Sequence, residues 1–142
     1  MPSRSQLKII ANSRLKTVRI LIKAKDWQMA AYMMAMTLEI ALKALICKKL
    51  NLTKYPDHHR DNTVQHFFKT HNLRNLALLA GLNQELTNTN QLSKKWKKFI
   101  SIFPTKNWPD IRYMPANKWS ETEIQAMMSA LSVILTKIKK LW

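Results

Sequence analysis

The sequence predicts an all-α fold, a four- to five-helix up-and-down bundle formed by a single domain over residues 1–142. Three observations carry this expectation. The chain has one glycine, Gly81, and five prolines that stand outside its periodic stretches. Sheets need many tight turns, and tight turns need glycine, so one glycine argues for a few long helices. The composition is 46% hydrophobic, which excludes a disordered tail. The apolar residues recur at intervals of three and four, the period of one helix face.

The first helix is expected over Ser5 to Lys23, where Leu7, Ile10, Ala11, Leu15, Val18, Leu21 and Ile22 form one stripe. The second is expected from the N-cap Asp26 to about Leu50. It is rich in Ala, Met and Leu and apolar on most sides, which makes it the central helix. Asn51 to Lys69 reads as a loop or short helix around the turn Tyr55-Pro56-Asp57. Thr70 is the expected N-cap of a third helix, His71 to Ala80, closed by Gly81. Asn83 to Asn90 reads as polar linker. Leu92 to Phe103 places Trp96, Phe99, Ile100 and Phe103 on one face, with Lys94, Lys95, Lys97 and Lys98 outside. Pro104, Pro109 and Pro115 frame a loop. The last helix opens at Ser120 and Glu123, a capping box. Its stripe runs from Ile124 to Leu141, with Lys137, Lys139 and Lys140 where the helix dipole favours cations.

Charge and composition narrow the function. Twenty-four Lys and Arg against eight Asp and Glu give a net +16, a field that draws polyanions: nucleic acid or an acidic protein. A P-loop or a dinucleotide fingerprint is excluded, because each needs several glycines. One cysteine, Cys47, excludes a disulfide framework and fits a reducing cytoplasm. The start of the chain has no apolar signal core, so no secretion signal is expected. Met29–Cys47 is almost long enough to span a bilayer, but Glu39 and Lys43 interrupt it, each at about 2.5–3.5 kcal/mol at a membrane centre. A buried core helix, and no membrane, is the expectation.

Four histidines, His58, His59, His66 and His71, cluster in sequence, but their spacing fits no metal-ligand template, and neither metal nor cofactor is expected. Cys47 lies in the most apolar helix, where a thiol is inert. Glu39 interrupts that helix midway, and an unpaired buried carboxylate costs several kcal/mol. Lys43 follows at i+4, the favourable order for a pair. Either the two lie on a solvent stripe, or Glu39 faces a polar cleft and orients an arginine. Arg112 and Tyr113 stand in the proline-bounded loop with Trp108. Arg supplies a planar fork for phosphate and Tyr a ring for base stacking. The alternative places Tyr113 on the core and Arg112 at a helix end.

Three segments in order resemble the HEPN domain family. Ala30-Ala31-Tyr32 through Leu38-Glu39-Ile40-Ala41-Leu42-Lys43-Ala44-Leu45 resembles its second helix. Thr70-His71-Asn72-Leu73-Arg74-Asn75-Leu76 resembles its T-H-D-L-x-x-L segment, with Asn72 in place of Asp. Pro109-Asp110-Ile111-Arg112-Tyr113 and the closing helix resemble its R-Y-P loop and last helix. The resemblance implies a helical bundle, usually a homodimer, of one of two kinds. One kind is a metal-independent ribonuclease of toxin–antitoxin or defence systems, with an Arg-x4–6-His motif near the last helix. The other lacks that motif and accompanies a small nucleotidyltransferase or binds nucleotides. Here Arg112 is followed by Tyr-Met-Pro-Ala-Asn-Lys-Trp, without His, while an Arg-x5-His occurs mid-chain at Arg60 and His66.

Three readings follow from the resemblance and the charge. In the first, the domain binds RNA or nucleotide, or pairs with a nucleotidyltransferase or antitoxin, using Glu39, Lys43, His71, Arg112 and Tyr113. In the second it is an RNA-cleaving toxin, with Arg60 and His66, or Arg112 and His71, as catalytic pair. In the third it is a basic dimeric scaffold for an acidic partner.

Overall fold

The computed structural model describes residues 2–103 and 107–142. Its α-helices are α1 (Arg4–Lys23), α2 (Trp27–Lys49), α3 (Asn62–Phe68), α4 (Leu73–Leu79), α5 (Asn83–Thr87), α6 (Gln91–Ile102) and α7 (Glu121–Leu141). Two 3-10 turns, Trp108–Tyr113 and Ala116–Lys118, lead into α7. The fold is all-α, as the periodicity predicts. Among the described residues there is no strand, and Ser3 and Lys54 form one isolated antiparallel bridge. Four long helices, α1, α2, α6 and α7, make the bundle, and the short ones join them. Pro104 lies outside the described residues.

α2 is the central element, packed by α1, α4, α7 and both 3-10 turns. Ala30, Ala31, Met34, Leu38, Ala41, Leu42 and Leu45 are among its fully buried residues. By length and mean hydropathy (1.6) α2 would suit a membrane, but 72% of its most apolar window is buried by the rest of the fold. The flanking helices supply the apolar stripes read from the sequence, with Val18 of α1 and Ile124, Met127 and Leu131 of α7 fully buried.

The termini show how so few turns suffice. The Ser3 hydroxyl accepts from Gln6 N (3.2 Å) and the Gln6 side chain accepts from Ser3 N (2.8 Å), so α1 opens at a capping box slightly ahead of Ser5. Asp26 caps α2, and Ser120 with Glu123 caps α7, both as predicted. Three helices end in the same doubly bonded C-terminal turn. Asp26 N–H donates to Leu21 O and Lys25 N–H to Ile22 O at the end of α1. Leu52 N–H to Cys47 O with Asn51 N–H to Lys48 O closes α2. Leu82 N–H to Ala77 O with Gly81 N–H to Leu78 O closes α4. The turn demands a left-handed residue, and the chain places Lys25 (φ 58), Asn51 (φ 53) and Gly81 (φ 76) there.

Two elements differ from the sequence reading. α4 begins at Leu73, capped by Asn72 rather than Thr70, because the Asn72 oxygen reaches both Arg74 N (3.0 Å) and Asn75 N (3.1 Å). Thr70 stands one step outside and accepts from Asn72 N (3.0 Å). The stretch read as polar linker, Asn83 to Asn90, contains α5, held by the buried Leu86. Of the two readings of the 51–69 segment, a loop or a short helix, the short helix is found: α3, capped by Asp61.

A left-handed lysine costs about 1–2 kcal/mol, and glycine offsets part of that gain through its own entropy. Lys25→Gly should therefore raise stability by about 0.5–1 kcal/mol in urea denaturation. Gly81→Ala should lower it by about 1–2 kcal/mol. A Cβ there would meet only Lys49 Cε at 4.0 Å, so the cost is conformational.

Candidate functional site

Glu39 sits midway along α2 and is only 6% exposed, one of three buried polar residues among the described ones. Three groups from three elements converge on its carboxylate. Lys43 Nζ, one helical turn on, lies 2.9 Å from Oε1. Trp108 Nε1–H, from the first 3-10 turn, donates to Oε2 at 2.7 Å. His71 Nδ1, from the loop before α4, lies 2.9 Å from Oε2 and 3.1 Å from Oε1. A carboxylate oxygen accepts and does not donate, so His71 turns its Nδ1–H inward. In the neutral ring this leaves Nε2 with its lone pair available. The imidazole side chain is 54% exposed, while the carboxylate that holds it is almost completely covered.

Each participant is fixed by its own element. The His71 loop is tied on both flanks: Tyr55 Oη donates to Phe68 O (2.8 Å), Thr70 N–H donates to Phe68 O (2.9 Å), and Asn72 caps α4. Asn72 occupies the Asp position of the resembled motif and caps with its carboxamide oxygen. The Trp108 ring meets Tyr32 edge-on at 5.2 Å and His71 at 5.7 Å. The 3-10 turn behind it is anchored by buried Trp108, Pro109 and Ile111. Gln28, in the first turn of α2, donates its side-chain N–H groups to Ile111 O and Met114 O. Below Lys43, the Tyr55 ring lies 5.0 Å from the ammonium. Burial first, then the charges of Glu39, Asp57 and Cys47, push the Tyr55 hydroxyl well above its ordinary range, so it stays a donor.

The structure thus brings Glu39, Lys43 and His71 together. The alternative of a solvent stripe for the Glu39–Lys43 pair does not hold, since both side chains are largely covered, at 7% and 14% exposure. The group that Glu39 orients is an imidazole, and among the described residues it makes no ion pair with an arginine. Arg112 and Tyr113 lie on the same 3-10 turn as Trp108, both exposed, with the Arg112 guanidinium 4.9 Å from the Tyr113 ring centre. Tyr113 is 77% exposed, so it does not pack on the core. Arg60 and His66 are exposed, one ahead of α3 and one in its last turn, and neither bonds to the Glu39 cluster. Between them, Asp61 accepts from Thr63 N and Val64 N, which holds its carboxyl below the ordinary value. Cys47 is buried, and burial raises its thiol, consistent with an inert core residue. Among the described residues no group of three or more His, Cys, Asp or Glu side chains is placed to hold a metal.

The sequence reading missed two positioning residues. Trp108 read as a loop anchor, and its indole N–H as a partner of Glu39 was not visible. Gln28 was not singled out, although a glutamine inside the first turn of an apolar helix is the kind of polar exception that signals a partner.

The HEPN domain family matches residues 5–141, nearly the whole chain. The chain belongs to the HEPN domain family. No curated protein and no solved structure matches it. HEPN membership supports a nucleotide- or RNA-related function in the broad sense, for a class of domain that is able to dimerise.

Removing the carboxylate leaves the Trp108 N–H and the Lys43 ammonium without their buried partner. Glu39→Ala should cost about 3–5 kcal/mol, the range for breaking a buried ion pair. Trp108→Phe removes one hydrogen bond to a charged group and should cost about 1.5–3 kcal/mol. Urea denaturation followed by circular dichroism measures both.

Proposed function

We propose that this HEPN domain binds RNA on the face that presents His71, Arg112 and Tyr113. The observation that carries the proposal is the clamp on His71: a buried carboxylate fixes one ring nitrogen and leaves the other toward solvent. On the same 3-10 turn that supplies Trp108, Arg112 offers a guanidinium for phosphate and Tyr113 an exposed ring for a base. Lys43 balances the charge of Glu39. The family kind without an Arg-x4–6-His motif accompanies a small nucleotidyltransferase, and the proposal extends to such a partner, or an antitoxin, covering this face.

The clamp also favours a second reading. An imidazole with Nδ1–H on a carboxylate has Nε2 free to take a proton, the arrangement a general base needs. A ribose 2′-hydroxyl that gives its proton to Nε2 would attack the adjacent phosphorus, forming the O2′–P bond of a 2′,3′-cyclic phosphate while the P–O5′ bond breaks and the leaving 5′-oxygen takes up a proton, with Arg112 stabilising the developing charge. Arg60 and His66 on the α3 segment are the competing pair.

One experiment addresses both readings: RNA retention and RNA cleavage by the purified protein in EDTA, beside His71→Ala, Arg112→Ala, Arg60→Ala and His66→Ala. Binding by wild type, weakened at least about tenfold by His71→Ala and Arg112→Ala but not by the α3 pair, supports the proposal. Cleavage lost in His71→Ala and Arg112→Ala establishes the ribonuclease reading at this site. Cleavage or binding lost only with Arg60 or His66 overturns the site.

A further inference from the structure

We propose that the end of the bundle where α2 and α7 terminate is a second RNA-contacting surface, one that grips phosphates without reading sequence. It is separate from the His71 face and takes from the functional reading only the class of ligand.

Four contacts bring the basic segments to one end. The short connection after α1 makes α1 and α2 antiparallel, and the tail of α2 returns to the start of α1: Arg4 N–H donates to Thr53 O (3.4 Å) and Tyr55 N–H to Pro2 O (3.3 Å). α7 finishes there too, with Lys8 Nζ 5.5 Å from the centre of the Trp142 ring. Lys137 of α7 lies 4.0 Å from Glu85 of α5, which directly precedes α6, so α6 begins beside the end of α7.

The exposed side chains collected there are Lys49, Lys94, Lys97, Lys98, Lys139 and Lys140. Neither α6 nor the chain after Glu123 contains an acid, and Glu85 is engaged by Lys137. Four of the eight acids, Asp26, Asp110, Glu121 and Glu123, belong to the opposite end, where α2 and α7 begin. The charge of +16 is therefore polarised along the bundle.

Helix dipoles account for only part of this. Cations at the ends of α2 and α7 complement the negative helix termini. The lysines of α6 occupy its first two turns, the positive end, where the dipole disfavours them. Their mutual repulsion and that of the adjoining lysines is relieved by an external polyanion. Composition selects which one. Protein interfaces are depleted of Lys and enriched in aromatics. The helices that meet here expose chiefly lysines, with Ile9 and Leu50 as isolated exposed apolar side chains and Trp142 half-buried under Lys8. Phosphate backbone accepts such point charges at any register.

The test is binding of a labelled oligouridine to the full chain across a KCl series. The variant carries Lys94→Gln, Lys97→Gln, Lys98→Gln, Lys139→Gln and Lys140→Gln. A control removes the same charge elsewhere: Arg14→Gln, Lys16→Gln, Arg19→Gln, Lys23→Gln and Lys25→Gln. Each lysine that touches a phosphate contributes about 0.7 to the slope of log affinity against log salt on a single strand. The variant should be shallower by about 2–3.5 and roughly tenfold or more weaker at low salt, with the control near wild type. Equal losses in variant and control would show a total-charge effect and overturn the proposal. An unchanged oligouridine slope with lost binding of polyglutamate would assign the surface to an acidic protein and overturn it as well. His71→Ala and Tyr113→Ala in the same series separate the two faces. If they bind like wild type while the lysine variant fails, the His71 reading fails and this surface stands; the reverse pattern removes this surface alone.

Discussion

The fold depends on a carboxylate placed where a carboxylate is expensive. Glu39 lies in the middle of α2, the helix against which α1, α4, α7 and both 3-10 turns pack, and burial there is tolerated only because three N–H groups surround it. Those groups come from α2 itself, from the loop before α4 and from the 3-10 turn before α7. One side chain thereby pins two connections, 32 and 69 residues away in the chain, to the central helix. Apolar packing alone would hold α1 and α7 on α2. It would not fix how the irregular segments sit, and these carry His71, Arg112 and Tyr113.

That constraint produces a division of labour around the bundle. The His71 face is built from rigid connections: Gln28 on the 3-10 turn, Tyr55 on the Phe68 carbonyl, Asn72 at the start of α4. It presents a few directional groups with defined chemistry. The end formed by α6 and the last turn of α7 presents repeated lysines with no directional anchoring.

The helices that pack on α2 were legible because each carries a continuous stripe, from Leu7 to Val18 in α1 and from Ile124 to Ile138 in α7. α3 was legible only as one of two readings, a loop or a short helix, and α5 was not legible at all, since seven and five residues are too few for a period to show. The Asp61 cap defines α3, and the buried Leu86 holds α5. Within the site, Glu39 was legible as a charge in an apolar run, and His71, Arg112 and Tyr113 through their motifs. The partnership was not. Nothing local links position 39 to position 108, and sequence spacing suggested an arginine where the fold brings an imidazole. The C-terminal turns of α1 and α2 were also hidden, because Lys25 and Asn51 take a backbone conformation that a sequence normally announces with glycine, as Gly81 does at the end of α4.

The most direct measurement of the central claim is the tautomer of His71, read from its ring nitrogen shifts by 15N nuclear magnetic resonance on the neutral imidazole. The account predicts a proton on Nδ1, facing Glu39, with Nε2 unprotonated, and loss of that preference in Glu39→Gln. A wild-type ring that carries its proton on Nε2, or that exchanges between the two forms as freely as an exposed histidine, would contradict it.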